Sequence, residues 1–429
     1  MRIIQLTPGA GDSFYCENCL RDHGSVRQLR RLGVEVSMVP LYLPAIDDTP
    51  AQAEPETPIF FGGINVYLQQ KSGLFRHTPR FIDRLFDAKP LLRWAGRKAG
   101  MTRSRDLAET MLSMLRGEHG RQVKELDRLI DYLADQPKPD VVHLSNALLT
   151  GLAGRIREKL QCRVTCGLED EEAFVDALEE PYRTKVWEML SDRCGQLDGM
   201  ISSSADYGRR MMQRLQLDED RFTHVSDGVE IEQYVPAQAS PAAATIGFLS
   251  QMTRGKGLAE LVEAFLTLRR EMPDLQLHVC GGKTAGDEPY IQAVRRRIDE
   301  AGAGDDVCFV DGFDLPSKRE FLSKLTVLSV PTLRPEASAL YALEALAAAV
   351  PLVLPEHGVN IEIAAAAGGI DLVTPNDPAA LVDGLRRMLT DTARRDQLAR
   401  AGAAGAADYF NIEAHGDRML QAFTQYLTA

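Results

Sequence analysis

Residues 331–355 read PTLRPEASALYALEALAAAVPLVLP. The apolar run Val327–Val330 stops at Pro331, so a strand ends there and a loop follows. A helix is predicted to start near Ser338, with Leu340, Leu343 and Leu346 on its apolar side. Leu352–Leu354 reads as the next strand. Glu336 and Glu344 stand in an E-x7-E arrangement. That spacing puts one carboxylate on the loop and the other about a turn and a half inside the helix. A helix N-terminus carries roughly half a positive charge and free N–H groups, which suits a diphosphate.

Working outward, the second half of the chain repeats this strand–helix alternation. Strands are expected at Thr245–Leu249, Leu275–Val279, Val307–Val310 and Asp371–Val373 as well. A helix from Gly257 carries Leu258, Leu261, Val262, Phe265 and Leu268 at helical spacing. Such an alternation predicts a parallel sheet covered on both faces. The first half opens the same way. Arg2–Thr7 is a strand, Pro8–Ser13 a turn, and a helix runs from about Asn18 to Gly33 before a strand at Val34–Val39. Further strands are expected at Asp140–Asn146, Arg163–Cys166 and Gly199–Ser202. Between about 57 and 135 the alternation breaks, and Trp94, Met101, Leu107, Met111 and Leu115 point to a helical insertion. Residues 235–242 (VPAQASPA) have the composition of a linker. The expected architecture is α/β, with two doubly wound parallel-sheet (Rossmann-like) domains at 1–235 and 243–410 facing a cleft.

Composition narrows the function. The chain has 429 residues, 45% hydrophobic and 26% charged, which suits two soluble domains. A net charge of −12 repels polyphosphate, so nucleic acid is not expected as a partner. The apolar run at 3–7 is too short for a signal sequence and no run long enough to span a membrane follows, which predicts a cytoplasmic location. The seven cysteines are then read as reduced thiols. Cys16 and Cys19 form a C-x2-C, but Cys162 and Cys166 have the wrong spacing to complete a zinc knuckle, so no metal site is expected. Gly281-Gly282-Lys283-Thr284 lacks the glycine a phosphate loop needs at 277, where Leu277 stands. The acidic run 167–172 (GLEDEE) reads by default as an exposed loop, the alternative being that it orients acceptor hydroxyls or supplies an acid/base group. The basic, aromatic-bearing stretch 71–105 reads first as a helical insertion packed on its own domain, the alternatives being a peripheral contact with the inner membrane surface or with an anionic acceptor.

The 331–355 segment and the run 246–258 (IGFLSQMTRGKGL) together resemble the donor-binding signature of the family 4, GT-B-fold glycosyltransferases. His224–Val229 resembles that family's strand and turn before the linker, and Phe410–Leu427 its C-terminal helix, which crosses back to the first domain and here would be 411–429. The resemblance implies a retaining, metal-independent transfer from a nucleoside-diphosphate sugar of UDP or GDP type, with no further cofactor, to an unidentified glycan, lipid or small-molecule acceptor. Lys256 would neutralise the diphosphate and Glu336 would touch the sugar, the pair carrying catalysis. Glu344 would hold the ribose, and Gly312 and Phe313 would flank the base. Ser338, Ala339 and Leu340 at the helix start, with the Gly9–Gly11 loop, would close on the phosphates. His143, Ser145 and Asn146 would lie on the acceptor side.

Three positions depart from the family pattern. Gln251 stands where a second diphosphate-binding arginine is usual, with Arg254 close by as a substitute. Ala337-Ser338-Ala339 replaces glycines, and Ser145 replaces a histidine. They keep a second reading open, a catalytically degenerate GT-B protein that binds a ligand or partner without transfer.

Overall fold

The computed structural model describes residues 1–9, 17–42, 60–61, 104–234, 244–284, 286–310 and 312–428. The stretch 71–103, Gly11, Cys16 and the 235–243 stretch lie outside them. The chain divides into two compact units. One comprises Met1–Ser13, Asn18–Val225 and Gly416–Ala429, and the other Phe14–Glu17 and Ser226–His415. The change of unit thus falls at Val225–Ser226, ahead of the proline-punctuated stretch.

The first unit is built on six parallel strands in the order β2-β1-β3-β4-β5-β6. They are β1 Arg2–Thr7, β2 Glu35–Pro40, β3 Val141–Leu144, β4 Arg163–Leu168, β5 Gly199–Ser202 and β6 Phe222–His224. β1, β3, β4 and β5 are buried along nearly their whole length, as strands covered on both faces must be. Of the 57–135 region, the structure describes helices at Ser104–Leu115 and Val123–Ala134. Residues from the helix Ile412–Thr428 complete this unit's core: Met419, Ala422, Phe423 and Tyr426 pack with Ile3, Val26, Leu29 and Val141. The Tyr426 hydroxyl donates to the Met200 carbonyl at 2.6 Å and lies 2.7 Å from Thr223 Oγ1. Gly199 makes this docking possible, since a Cβ there would come within 2.3 Å of the Tyr426 ring.

The second unit also has six parallel strands, ordered β12-β11-β10-β7-β8-β9. They are β7 Thr245–Leu249, β8 Gln276–Cys280, β9 Val307–Val310, β10 Val327–Leu328, β11 Leu352–Pro355 and β12 Ile370–Val373. The helix Leu258–Arg269 buries Leu258, Leu261, Val262, Phe265 and Leu268, the stripe its spacing predicts. Each sheet reverses its strand order once, between β1 and β3 in the first and between β7 and β10 in the second. Ligands of doubly wound folds bind beyond the carboxyl ends of the strands at such switch points.

The helix after β10 does not start at Ser338. It spans Leu340–Ala347, with Ala339 as its cap and no side-chain cap hydrogen bond. The reason is tertiary: the Ser338 hydroxyl donates instead to Asp227 Oδ2 at 2.5 Å. The acidic run 167–172 is not an exposed loop either, because Glu169 and Glu171 are both buried.

Candidate functional site

In the second unit, the loops after β7 and β10 meet at the switch point. The turn Arg254–Lys256 precedes the helix Leu258–Arg269, and Leu333 N donates to the Gly255 carbonyl at 2.9 Å. This brings Lys256 Nζ to 2.5 Å from Glu336 Oε1. The Tyr341 hydroxyl donates to Glu336 Oε2 at 3.2 Å, and its ring centroid lies 5.9 Å from Lys256 Nζ. The loop after β11 holds this arrangement from the other side. Val359 N donates to the Glu336 carbonyl at 3.3 Å, and His357 Nε2 lies 3.0 Å from the Thr332 carbonyl. Two residues far apart in sequence, both singled out for donor chemistry, therefore form one ion pair.

Glu344 is buried inside the following helix, and its two oxygens have different surroundings. Oε1 accepts from the Tyr234 hydroxyl at 2.9 Å and from Lys318 Nζ at 2.5 Å. Oε2 is buried and has no partner. A buried carboxylate oxygen left unpartnered costs free energy, so it is the atom a ligand hydroxyl would satisfy. Lys318, only 4% exposed at its side chain, gave no signal in the sequence as a member of this site.

The remaining donor-side residues divide. Gly312 (φ +92°) accepts from Cys280 Sγ at 3.4 Å, and its neighbour Phe313 is half-buried. Ala339 and Leu340 are buried at the helix start. Gly9 has φ +79°. Gln251 is half-buried, and its carbonyl accepts from Thr253 N at 2.8 Å. Arg254 is engaged away from the Lys256–Glu336 pair. Its guanidinium lies over the Tyr290 ring, 5.7 Å from the centroid, because a residue two positions earlier in a tight turn projects elsewhere.

In the first unit, His143 is packed inside the core. It is buried edge-on against Phe423, with ring centroids 5.3 Å apart, and Nδ1 lies 2.8 Å from Thr165 Oγ1. Burial, with Arg21 nearby, lowers its pKa to about 3, so the ring is neutral. Asn146 is turned to its own backbone, accepting from Leu148 N at 3.1 Å and capping the turn Ala147–Leu152. Ser145 is buried, and its Oγ has no partner. Cys19 is buried.

Glu171 organises the ends of two strands in this unit. Its carboxylate accepts from Ala147 N at 2.8 Å, Glu169 N at 2.8 Å and the Tyr207 hydroxyl at 2.7 Å. Burial nevertheless raises its pKa from 4.5 to about 7. Folded, the group keeps its proton to about pH 7; unfolded, it releases it near 4.5. Its contribution to stability is therefore full below about pH 4.5 and is lost as pH rises to about 7. Thermal melting across that window should show a wild-type decline that Glu171→Gln lacks. Parallel curves would remove this assignment.

Among the described residues, no helix is long and apolar enough to cross a membrane.

Residues 233–404 match the family model for glycosyl transferases group 1. A D-inositol 3-phosphate glycosyltransferase of Corynebacterium urealyticum is 28% identical over 204 residues, 44% of this chain and 48% of that protein. A GDP-mannose-dependent alpha-(1-6)-phosphatidylinositol monomannoside mannosyltransferase of Mycolicibacterium smegmatis is 24% identical over 46% of this chain and 55% of its own. The chain spans about half the length of these curated relatives. Among solved structures, a sucrose-phosphate synthase from Thermosynechococcus elongatus superposes with a TM-score of 0.73 at 17% identity, covering 100% of this chain and 99% of that one. The Anabaena protein HepE in complex with UDP-glucose does so at 0.68 and 12%, covering 99% and 100%. The fold is therefore that of the GT-B glycosyltransferases, as the sequence resemblance implied.

Proposed function

We propose that this protein transfers a sugar, with retention of configuration, from a nucleoside-diphosphate donor of UDP or GDP type to a hydroxyl of an acceptor. The observation that carries the reading is the Lys256–Glu336 pair at the β7/β10 switch point, beside Glu344 with its unpartnered Oε2. On this reading the donor diphosphate displaces Glu336 from Lys256. The ammonium then faces the phosphates, where it stabilises the charge that grows on the leaving group. Glu336, released, accepts from the sugar hydroxyls, and Glu344 Oε2 accepts from the ribose. The named acceptors of the matched relatives are inositol derivatives, and we take the acceptor here to be a hydroxyl-rich ring of that kind.

Calorimetric titration with UDP, GDP and ADP tests this. Wild type should bind one of them, and Lys256→Ala should weaken that binding by about a hundredfold, as removal of a charged hydrogen-bonding partner does. Turnover of the matching nucleotide sugar should then fall in Glu336→Gln. The placement of Arg254 over Tyr290 favours a second reading, a ligand- or partner-binding module without transfer. That reading takes over if no nucleotide binds wild type.

A further inference from the structure

Glu17 is the first residue of the helix Glu17–Arg31, yet it belongs to the second unit. There its carboxylate is engaged on both oxygens. Oε1 accepts from the Ser250 hydroxyl at 2.9 Å, and Oε2 lies 3.8 Å from Lys256 Nζ. Lys256 therefore stands between two carboxylates, since Glu336 Oε1 lies 2.5 Å from the same ammonium. Both glutamate side chains are 11% exposed and the lysine 15%, so solvent and salt screen these charges weakly. Ser250 follows directly on β7 and is fully buried. Its N–H donates to the Cys280 carbonyl at 3.2 Å. Gly281 (φ +146°) passes so close that a Cβ on it would come within 1.8 Å of the Ser250 carbonyl oxygen. The backbone that carries the Ser250 hydroxyl is thus fixed by its neighbours.

We infer that Glu17 is an internal competitor for the anion site: its carboxylate takes the two donors, Ser250 Oγ and Lys256 Nζ, that a phosphoryl group takes when a ligand is bound. The inference rests on the transferase reading in calling that ligand a nucleoside diphosphate. Charge decides the matter. One ammonium facing two carboxylates leaves a surplus of negative charge before any ligand arrives. A diphosphate brings more, and like charges a few ångströms apart in a poorly screened site repel strongly. Glu17 must leave before the phosphates settle. Its departure frees a hydroxyl and one side of an ammonium, both of which donate to phosphoryl oxygens as they do to a carboxylate. Glu336 is displaced too, but the sugar hydroxyls then use it as an acceptor. Glu17 has no such second task, so its net effect is to weaken the protein's own ligand. Removing this acidic side chain therefore improves binding, the reverse of what deleting a binding residue does.

Calorimetric titration of the full-length chain with inorganic pyrophosphate, UDP and GDP is the test. Glu17→Gln should bind pyrophosphate, and whichever nucleotide wild type takes, about tenfold more tightly, as relief of one like-charge contact allows. A carboxylate in the first turn also favours its helix, so Glu17→Asp is the second variant. It keeps that charge but is one methylene shorter, and it should tighten binding in the same direction. Adding Ser250→Ala to Glu17→Gln should then weaken pyrophosphate binding several-fold, because the phosphoryl group has lost a donor. Equal or weaker binding by both Glu17 variants would overturn the inference, and weaker binding would make Glu17 a residue that holds the ligand. No loss on adding Ser250→Ala would overturn it as well. Tighter pyrophosphate binding with no nucleotide bound by any variant would keep the competitor and sink the transferase reading. Nucleotide binding that is identical in wild type and every variant would do the opposite. Binding of neither probe by any variant would sink both.

Discussion

Lys318→Met should destabilise the second unit by about 3–5 kcal/mol and abolish nucleotide binding, the largest effect expected of a single side chain here. The substitution leaves the Glu344 carboxylate buried, with the Tyr234 hydroxyl as its remaining side-chain partner. An uncompensated charge at a site this dry costs more than the pair itself contributes. The double variant Lys318→Met/Glu344→Leu separates the two consequences. It removes both charges at similar volume, so melting should return to near wild type while nucleotide binding stays lost. If the double variant melts as low as Lys318→Met, the pair is held for packing and not for charge. If the single variant binds nucleotide normally, Glu344 has no part in the donor site.

Gly257→Ala should come next, with a loss of about 3 kcal/mol or more and weaker nucleotide binding even where the protein remains folded. Gly257 has φ +77°, and a Cβ on it would lie 2.0 Å from the Pro331 carbonyl oxygen. That contact is with backbone and cannot be relieved by a rotamer change. It separates the turn carrying Lys256 from the loop carrying Glu336, so the ion pair stretches. Gly255→Ala is the control, since a Cβ there meets nothing within 4 Å. Differential scanning calorimetry alongside nucleotide titration reads both effects, and equal behaviour of the two alanine variants would contradict the account.

The fold was legible because parallel strands buried on both faces are near-continuous apolar runs, and the chain states them one after another. Thr245–Leu249 is an example in which the observed strand has the predicted limits and every residue is buried. The donor side was partly legible because Lys256 and Glu336 each open or precede a helix in a recognisable pattern. What could not be read were pairings between distant segments. Ser338 looked like the start of a helix, but Asp227, 111 positions away, takes its hydroxyl. Lys318 and Tyr234 looked like ordinary residues of a helix and a turn, and only the fold brings both to Glu344. Asp22 has the same character. On a helix beside Arg21 and His23 nothing in the sequence marks it, and in the fold it is buried. Sequence patterns report local periodicity well, whereas the partner of a single polar side chain depends on register across the whole sheet.

The docking of residues 416–428 has a consequence for the order in which the protein comes into being. Phe423 and Tyr426 lie in the same core as Ile3 and Val141, yet they leave the ribosome only after all of Ser226–His415 has been made. The nascent first unit must therefore wait with Gly199 and the Phe423 face of His143 uncovered, while the second unit, essentially continuous in sequence, can already close. Synthesis runs from N to C, but completion runs the other way, and a chaperone holding the early strands would be guarding a gap that only the late helix can fill.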